Sequence, residues 1–150
     1  MGFISLDLET LISTLDKLKA DKKPLWGSMS AQRMVEHLTE MIQMSIGIGN
    51  YEQLIADEKI ESMQRFLESD KPMAKGIEVE FAPKEEKLTH PELEIAVDEF
   101  VENWLNFEEY YEANPTATNL HPFYGQLDER KWRLLHSKHF THHFQQFGLI

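Results

Sequence analysis

The chain contains no cysteine. Disulfide bonds and thiolate metal sites are therefore excluded, and any metal site in this protein must use nitrogen and oxygen ligands. Basic residues are also scarce, because 15 lysines and arginines stand against 26 aspartates and glutamates, which gives a net charge of −11. A charge of this sign repels polyanions, so nucleic acids and anionic membranes are excluded as expected partners.

Long apolar runs are missing as well. No stretch approaches the roughly 20 apolar residues that a helix needs to cross a bilayer. The first ten residues, MGFISLDLET, have neither a basic region nor a long apolar run, so we expect no signal peptide and a cytoplasmic location. With 150 residues, of which 41% are hydrophobic, the chain is long enough for a single domain with its own core, spanning residues 1–150.

Helical periodicity dominates what is present. Apolar residues recur three or four positions apart in five segments, and this spacing predicts helices there. The segments are residues 7–20, about 30–45, 51–69, 92–112 and 128–147. Residues 77–81 alternate between apolar and polar and are expected to be extended, and residues 114–120 are expected to form a loop. Long helices without a convincing sheet predict an all-α fold, a helical bundle in which 51–69 is a crossover helix.

Capping residues mark the ends of two of these helices. Ser28 or Ser30 is expected to cap the second helix, and Asp128 the last one, because short polar side chains accept hydrogen bonds from the free N–H groups of a first turn. Gly148 follows the last helix as a stop signal.

Four of the seven histidines fall between His136 and His143, inside the last predicted helix. His139 and His143 are four residues apart and share a face, and His136 lies close to the same line. A neutral imidazole on an apolar face must find partners for one donor and one acceptor. A metal ion supplies such a partner, and His-x-x-x-His on a helix is a bidentate metal clip. The alternative is a set of partly exposed, hydrogen-bonded histidines.

A third histidine changes the balance between these interpretations. His37 belongs to an apolar stripe of the second helix that also contains Met34 and Met41. Alone, such a histidine is more often a hydrogen-bonded core residue than a ligand. Metal sites in bundles, however, take ligands from several helices, and the last helix offers His139 and His143. The sequence therefore indicates a site of three histidines for a divalent metal.

Three sequence blocks provide evidence in addition to the spacing of the histidines. They are WGSMSAQRMVEH at 26–37, SDKP and KG within 69–76, and HPFYGQL at 121–127 followed by Trp132 and KHFTHHFQQFG at 138–148. Together, in this order, they resemble the DinB-like (DinB/YfiT) superfamily, and most closely an uncharacterised branch of it. The resemblance covers nearly the whole chain.

The resemblance implies a four-helix bundle with a long crossover between helices 2 and 3. It also implies a divalent metal held by His37, His139 and His143, the set that the spacing indicates independently. We expect zinc, with nickel, iron or manganese as alternatives. Characterised relatives include S-transferases that use low-molecular-weight thiols and a maleylpyruvate isomerase, and relatives often pair, so a homodimer is expected.

Three neutral nitrogen ligands leave a coordination position open, which is typical of catalytic sites. An ion there lowers the pKa of bound water towards about 7, or deprotonates a bound thiol. We therefore expect a thiol S-transferase or a hydrolase acting on a small molecule, such as a low-molecular-weight thiol; the alternative is a non-catalytic metal- or ligand-binding bundle.

His121 is predicted to lie over the pocket mouth and to have a catalytic role. The alternative is that it is simply part of a turn. A His-Glu-x-x-His protease is excluded, because Phe140 follows His139.

The remaining polar residues of this region leave several alternatives open. His136 is a candidate for a fourth ligand or a pocket wall, and His142 for a supporting, interface or surface residue. Gln146 and Glu40 are candidate partners that would orient a ligand imidazole. For Glu40, a plain surface carboxylate is the favoured alternative.

Overall fold

The structure is a computed structural model, and it describes residues 2–75 and 87–150. Five helices and one two-stranded sheet occur in these parts of the chain. They are α1 Leu8–Leu15, α2 Ala31–Ser45, α3 Asp57–Glu68, α4 Leu93–Ala113, β1 Asn119–His121, β2 Gly125–Leu127 and α5 Glu129–Gln146. The prediction of a mainly helical protein is confirmed, whereas the predicted extended segment 77–81 lies outside the described residues. Within the described residues, no helix is long and apolar enough to cross a membrane.

Helix α2 is the central element. Most of its side chains are buried, and it packs against both α4 and α5. Of the two serines expected to cap it, Ser30 does so: its side chain accepts a hydrogen bond of 3.1 Å from the backbone N–H of Arg33. The predicted cap of α5 is also confirmed, because the Asp128 carboxylate accepts from the N–H of Lys131 at 2.9 Å.

Two helices are shorter than the sequence predicts. Helix α1 ends at Leu15 instead of residue 20, and the N–H groups of Lys17 and Leu18 then bond to carbonyls only three residues back, which tightens the chain into a turn. Helix α3 begins at Asp57 instead of residue 51. In the segment before it, the N–H of Leu54 donates to the carbonyl of the distant Pro122 at 2.8 Å instead of to a carbonyl of its own helix.

The short sheet was not predicted. Strands β1 and β2 pair antiparallel, with Asn119 opposite Leu127 and His121 opposite Gly125. Gly125 has a φ of 75°, and a Cβ there would lie 2.6 Å from the Cδ1 atom of Ile60, so the position needs glycine for both its backbone conformation and its packing. Each strand has only three residues, which is too short to produce a recognisable alternation.

The inner side of α5 packs on an aromatic layer from α4. The ring of Phe140 lies 5.4 Å from that of Phe100 and 5.7 Å from that of Trp104, and all three side chains are buried. This layer removes water from the face of α5 that also carries His136. Polar side chains on this face must therefore find partners inside the protein.

Lys138, on a different side of α5, is buried and has its own partners. Its side chain is 1% exposed, and its ammonium donates to the carbonyls of Ser69 at 2.8 Å and Lys71 at 2.5 Å. The same ammonium lies over the rings of Phe3 and Phe66, at 4.3 and 4.5 Å from their centroids. The chain that leaves α3 is thereby fixed to α5.

Glu36 fixes the chain that leads into α4. Its buried carboxylate accepts hydrogen bonds from the backbone N–H groups of Thr89 and His90, at 2.8 and 3.0 Å, and from the amide of Gln32 at 3.0 Å. Burial raises the pKa of this carboxyl, but the combined effect of these hydrogen bonds lowers the pKa by more than burial raises it. The pKa of Glu36 therefore lies below the usual 4.5.

We expect Glu36→Gln to lower the free energy of unfolding near neutral pH by about 1–3 kcal/mol, because a buried N–H then faces an amide group instead of a carboxylate oxygen. Because the folded-state pKa is depressed, the stabilisation is complete above pH 4.5 and is lost as the pH falls through the folded-state value. Urea unfolding of wild type and variant should therefore show a difference that shrinks in acid. Glu61→Gln, at an exposed position, is the control and should change little. If the free energies of unfolding of wild type and Glu36→Gln differed by the same amount near neutral pH and in acid, this assignment would be contradicted.

Candidate metal centre

Two helices bring three histidines together. Helix α5 places His139 and His143 one turn apart on one face, and α2, packed against it, presents His37 opposite them. Only 8% of His139 and 7% of His143 is exposed, while His37 is partly exposed. One nitrogen from each ring lies within 4.8 Å of the other two. The structure thus assembles the three residues that the sequence predicts as metal ligands.

The spacing of the three rings suits coordination. The Nε2 atom of His139 lies 2.9 Å from that of His37 and 3.1 Å from that of His143. Two nitrogens bound to one tetrahedral zinc ion, at about 2.0–2.1 Å each, are separated by about 3.3 Å. The two Nε2 separations that involve His139 are therefore close to the one that a shared ion requires, and all three ligand nitrogens lie within 4.8 Å of one another.

All three imidazoles are held in the neutral state. Burial, reinforced by Arg33 and His142, lowers the pKa of His37 to about 4. Burial and the nearby His37 lower the pKa of His143 to about 3, and the pKa of His139 lies well below its usual value through burial and its two histidine neighbours. Neutral rings keep a lone pair for a cation, which is the state that metal binding needs.

The tautomer of His143 can be assigned from its partner. Its Nδ1 lies 2.7 Å from the Oε1 atom of Gln146, and the Nε2 of that amide donates to the carbonyl of Trp26 at 3.0 Å. The second bond fixes the orientation of the amide, so that an oxygen faces the ring. The proton of His143 is therefore on Nδ1, and the lone pair of Nε2 points into the cluster.

The structure gives different contacts to the two residues that are candidate partners of the ligand rings. Gln146 holds His143, as the sequence suggests. Glu40 instead binds the buried guanidinium of Arg33 through two hydrogen bonds of 2.9 and 2.7 Å. The sequence names both residues as candidates, with a surface carboxylate as the favoured interpretation of Glu40, and it does not show the direction in which either side chain points.

His136 lies in the core next to the cluster and is not one of its members. It is fully buried, and its Nε2 lies 2.9 Å from the hydroxyl of Ser45. Its ring stacks on those of Trp132 and Phe140, with centroids 5.6 and 5.4 Å away. The interpretation of His136 as a fourth ligand is not supported, because its Nε2 is engaged by α2 at Ser45.

His121 occupies a different place from the one expected. It lies in β1 with 4% of its surface exposed, and its Nδ1 accepts from the N–H of Phe123 at 3.0 Å. Its ring contacts those of Tyr124 and Trp132, at centroid distances of 4.8 and 5.7 Å, and burial lowers its pKa to about 3. His121 is thus part of the buried packing around the hairpin and does not belong to the three-histidine cluster. Its catalytic role stays a prediction.

His142 connects the cluster to the surface. Its ring lies 4.9 Å from that of His143 and 5.6 Å from that of Trp26, and it is hydrogen-bonded to the backbone of Met73. The Lys75 ammonium lies 4.2 Å from the centroid of the Trp26 ring. The position of residues 73–75 beside the cluster was missed from sequence, because a polar loop carries no periodic signal.

If Gln146 orients a metal ligand, Gln146→Leu should weaken zinc binding by about tenfold or more, because a ligand imidazole loses the acceptor for its second nitrogen. Competition with a chromogenic chelator measures this affinity. Gln145→Leu is the matched control, since that neighbouring side chain is exposed and should leave the affinity unchanged. Equal affinities for both variants and wild type would contradict the role of Gln146.

Comparison with protein families gives one match that covers nearly the whole chain. The family model aligns with residues 4–148, a range that contains the three clustered histidines and Gln146. Comparisons with curated proteins and with solved structures find no match. The chain therefore belongs to the family described as protein of unknown function (DUF1569).

Proposed function

We propose that this protein is a metal-dependent enzyme that binds one divalent cation through His37, His139 and His143. One observation carries the proposal: the Nε2 of His139, on one helix with His143, lies 3.1 Å from the Nε2 of His143 and 2.9 Å from that of His37 on a second helix. Three imidazoles in a dry environment cannot satisfy one another with the single proton that each neutral ring carries, whereas a cation accepts all three lone pairs.

The proposed architecture is that of a DinB-like four-helix bundle. Helices α1, α2, α4 and α5 would be its four members, while α3 belongs to the crossover between α2 and α4. The packing of α2 on α4 and α5, and of α1 on α4, supports this assignment. The three sequence blocks quoted above support it independently, because the first and last of them contain the clustered histidines.

The ligand set points to the chemistry. Because the sequence has no cysteine and no carboxylate of the described residues belongs to the cluster, the proposed ligands are all neutral nitrogens, which suit zinc first and nickel or iron next. An ion bound by three such ligands retains an open position and, when bound, acidifies a coordinated thiol or water. We therefore assign the protein to thiol S-transfer or hydrolysis on a small molecule.

The residues around the cluster close one side of it to water and leave another side near the surface. The buried aromatic layer of α4 and α5 excludes water from one side. His142, Trp26 and Lys75 border the cluster on the side of the surface, where His37 is partly exposed. A small substrate would approach from this edge.

One observation favours a second function. His139 and His143 are more than nine-tenths buried, which suits a protein that retains a metal without turning over a substrate. The alternative is therefore a non-catalytic metal- or ligand-binding bundle. The two functions share the metal site and differ only in whether a substrate reaches the ion.

Protein purified without a polyhistidine tag and dialysed against zinc should contain about one ion per chain. Replacing one of three ligands, as in His37→Ala or His139→Ala, should reduce the zinc content to below about a tenth, since two imidazoles alone bind weakly at a site built for three. Elemental mass spectrometry gives the ratio. His90→Ala, at a histidine outside the cluster, is the control and should keep its zinc. Retention of stoichiometric zinc by both ligand variants would refute the proposal.

If the protein is an enzyme, the zinc-loaded form should catalyse the reaction of a low-molecular-weight thiol with a small electrophile, or the hydrolysis of a small ester or amide. His139→Ala should reduce the rate by at least about a hundredfold, because the acidified nucleophile is lost. A panel of thiols, electrophiles and hydrolysable substrates, followed by mass spectrometry with and without zinc, tests this. Absence of turnover across the panel, with zinc bound, would favour the non-catalytic alternative.

A further inference from the structure

Two ring nitrogens inside the protein have no hydrogen-bond partner among the described residues. They are the Nδ1 atoms of His136 and His139, which lie on the same helix three residues apart. His136 is fully buried, and His139 is 8% exposed. Buried polar atoms nearly always have a partner, so two unpaired nitrogens on neighbouring turns of one helix require an explanation.

The proton of His136 can be placed from its contact with α2. The hydroxyl of Ser45 donates to the carbonyl of Ile42 at 2.5 Å, so its oxygen is left to accept at 2.9 Å from the Nε2 of His136. The single proton of the neutral ring is therefore on Nε2, and Nδ1 carries a lone pair. The unpaired nitrogen of His136 is thus a hydrogen-bond acceptor.

The proton of His139 follows from the proposed function, on which this step rests. A ring that binds a cation through Nε2 keeps its proton on Nδ1, so the unpaired nitrogen of His139 is a donor. Helical positions three apart place their Cβ atoms about 5–6 Å from each other. An unpaired donor and an unpaired acceptor therefore belong to side chains that are neighbours on one helix.

We propose that one buried water joins these two nitrogens, accepting from the Nδ1–H of His139 and donating to the Nδ1 of His136. His136 is then a positioning residue for the metal ligand His139. Ligand histidines almost always give their second N–H to a carbonyl, a carboxylate or a water, and His143 already uses Gln146 in this way. The water would have two polar partners, which is enough to hold it in a buried site.

The proposed chain of hydrogen bonds reaches from α2 to the metal. It runs from the carbonyl of Ile42 through Ser45 and His136 to the water and His139. Because Ser45 is fully buried and His136 is enclosed by aromatic rings, this chain cannot be replaced by solvent. It fixes the rotation of the His139 ring, and with it the direction of the Nε2 lone pair.

Long-range proton–nitrogen NMR of wild-type protein tests the arrangement without any substitution. In the zinc-loaded protein we expect His136 to carry its proton on Nε2 and His139 to carry a slowly exchanging proton on Nδ1. The tautomer of His136 should be the same in the metal-free protein, because Ser45 sets it. A proton on the Nδ1 of His136 would overturn the inference, since the water could then not donate to that nitrogen.

Substitution supplies the second test. His136→Phe fits the aromatic surroundings but removes the acceptor, and it should weaken zinc binding by about tenfold. His136→Gln offers an amide to Ser45 and an oxygen to the water, so its zinc affinity should lie between those of wild type and His136→Phe. Thermal unfolding of the metal-free variants reports any purely structural cost. Equal losses of affinity in both variants would contradict a hydrogen-bonding role.

These outcomes separate the present inference from the proposed function. If wild-type protein binds no zinc, the metal site itself is refuted. If wild type binds zinc and His136→Phe binds it equally well, only the positioning role of His136 is refuted. If neither variant folds, the NMR assignment of the wild-type tautomers decides the question.

Discussion

The removal of water from the inner side of α5 is the constraint on which the rest of this structure depends. Every polar side chain there has to be satisfied by the protein. The Nε2 of His136 is satisfied by the hydroxyl of Ser45, and the Nδ1 of His143 by Gln146. His139 differs from them in that its Nε2 faces two other imidazole nitrogens. Among the described residues, the Nδ1 atoms of His136 and His139 have no partner. The meeting of three Nε2 atoms at the ring of His139 is the strongest structural argument for a cation.

The site is rigid because each element that forms it is fixed by contacts outside it. Helix α2 carries Glu36 beside His37, and this carboxylate binds the backbone that leads into α4. Helix α5 carries Lys138 beside His139, and this ammonium binds the backbone that leaves α3. Each of these two clustered histidines thus has a sequence neighbour that ties its helix to another part of the chain. Ligands held on helices in this manner keep their geometry better than ligands on loops.

The sequence predicts most of the fold and the identity of the clustered residues, since both depend on periodic spacing. Helices α2, α4 and α5, the Ser30 and Asp128 caps and the approach of His37 to His139 and His143 all follow from such patterns. The hairpin, the early end of α1 and the late start of α3 do not, because they are decided by contacts between distant segments, such as that of Leu54 with Pro122. Tautomers and side-chain directions are equally invisible in sequence, which is why neither the contact of Gln146 with His143 nor the burial of His121 could be derived from it.

Among residues 2–75 and 87–150, no carboxylate joins the histidine cluster, which has an electrostatic consequence for the proposed cation. Three neutral rings would not offset the double positive charge of a divalent ion bound there. The surrounding aromatic layer has a low dielectric constant and would screen this charge only weakly. A fourth ligand that is itself an anion would therefore be held far more firmly than an uncharged one. The net charge of −11 elsewhere on the protein attracts the cation but repels the anion, so the interior and the exterior of the molecule select for opposite signs.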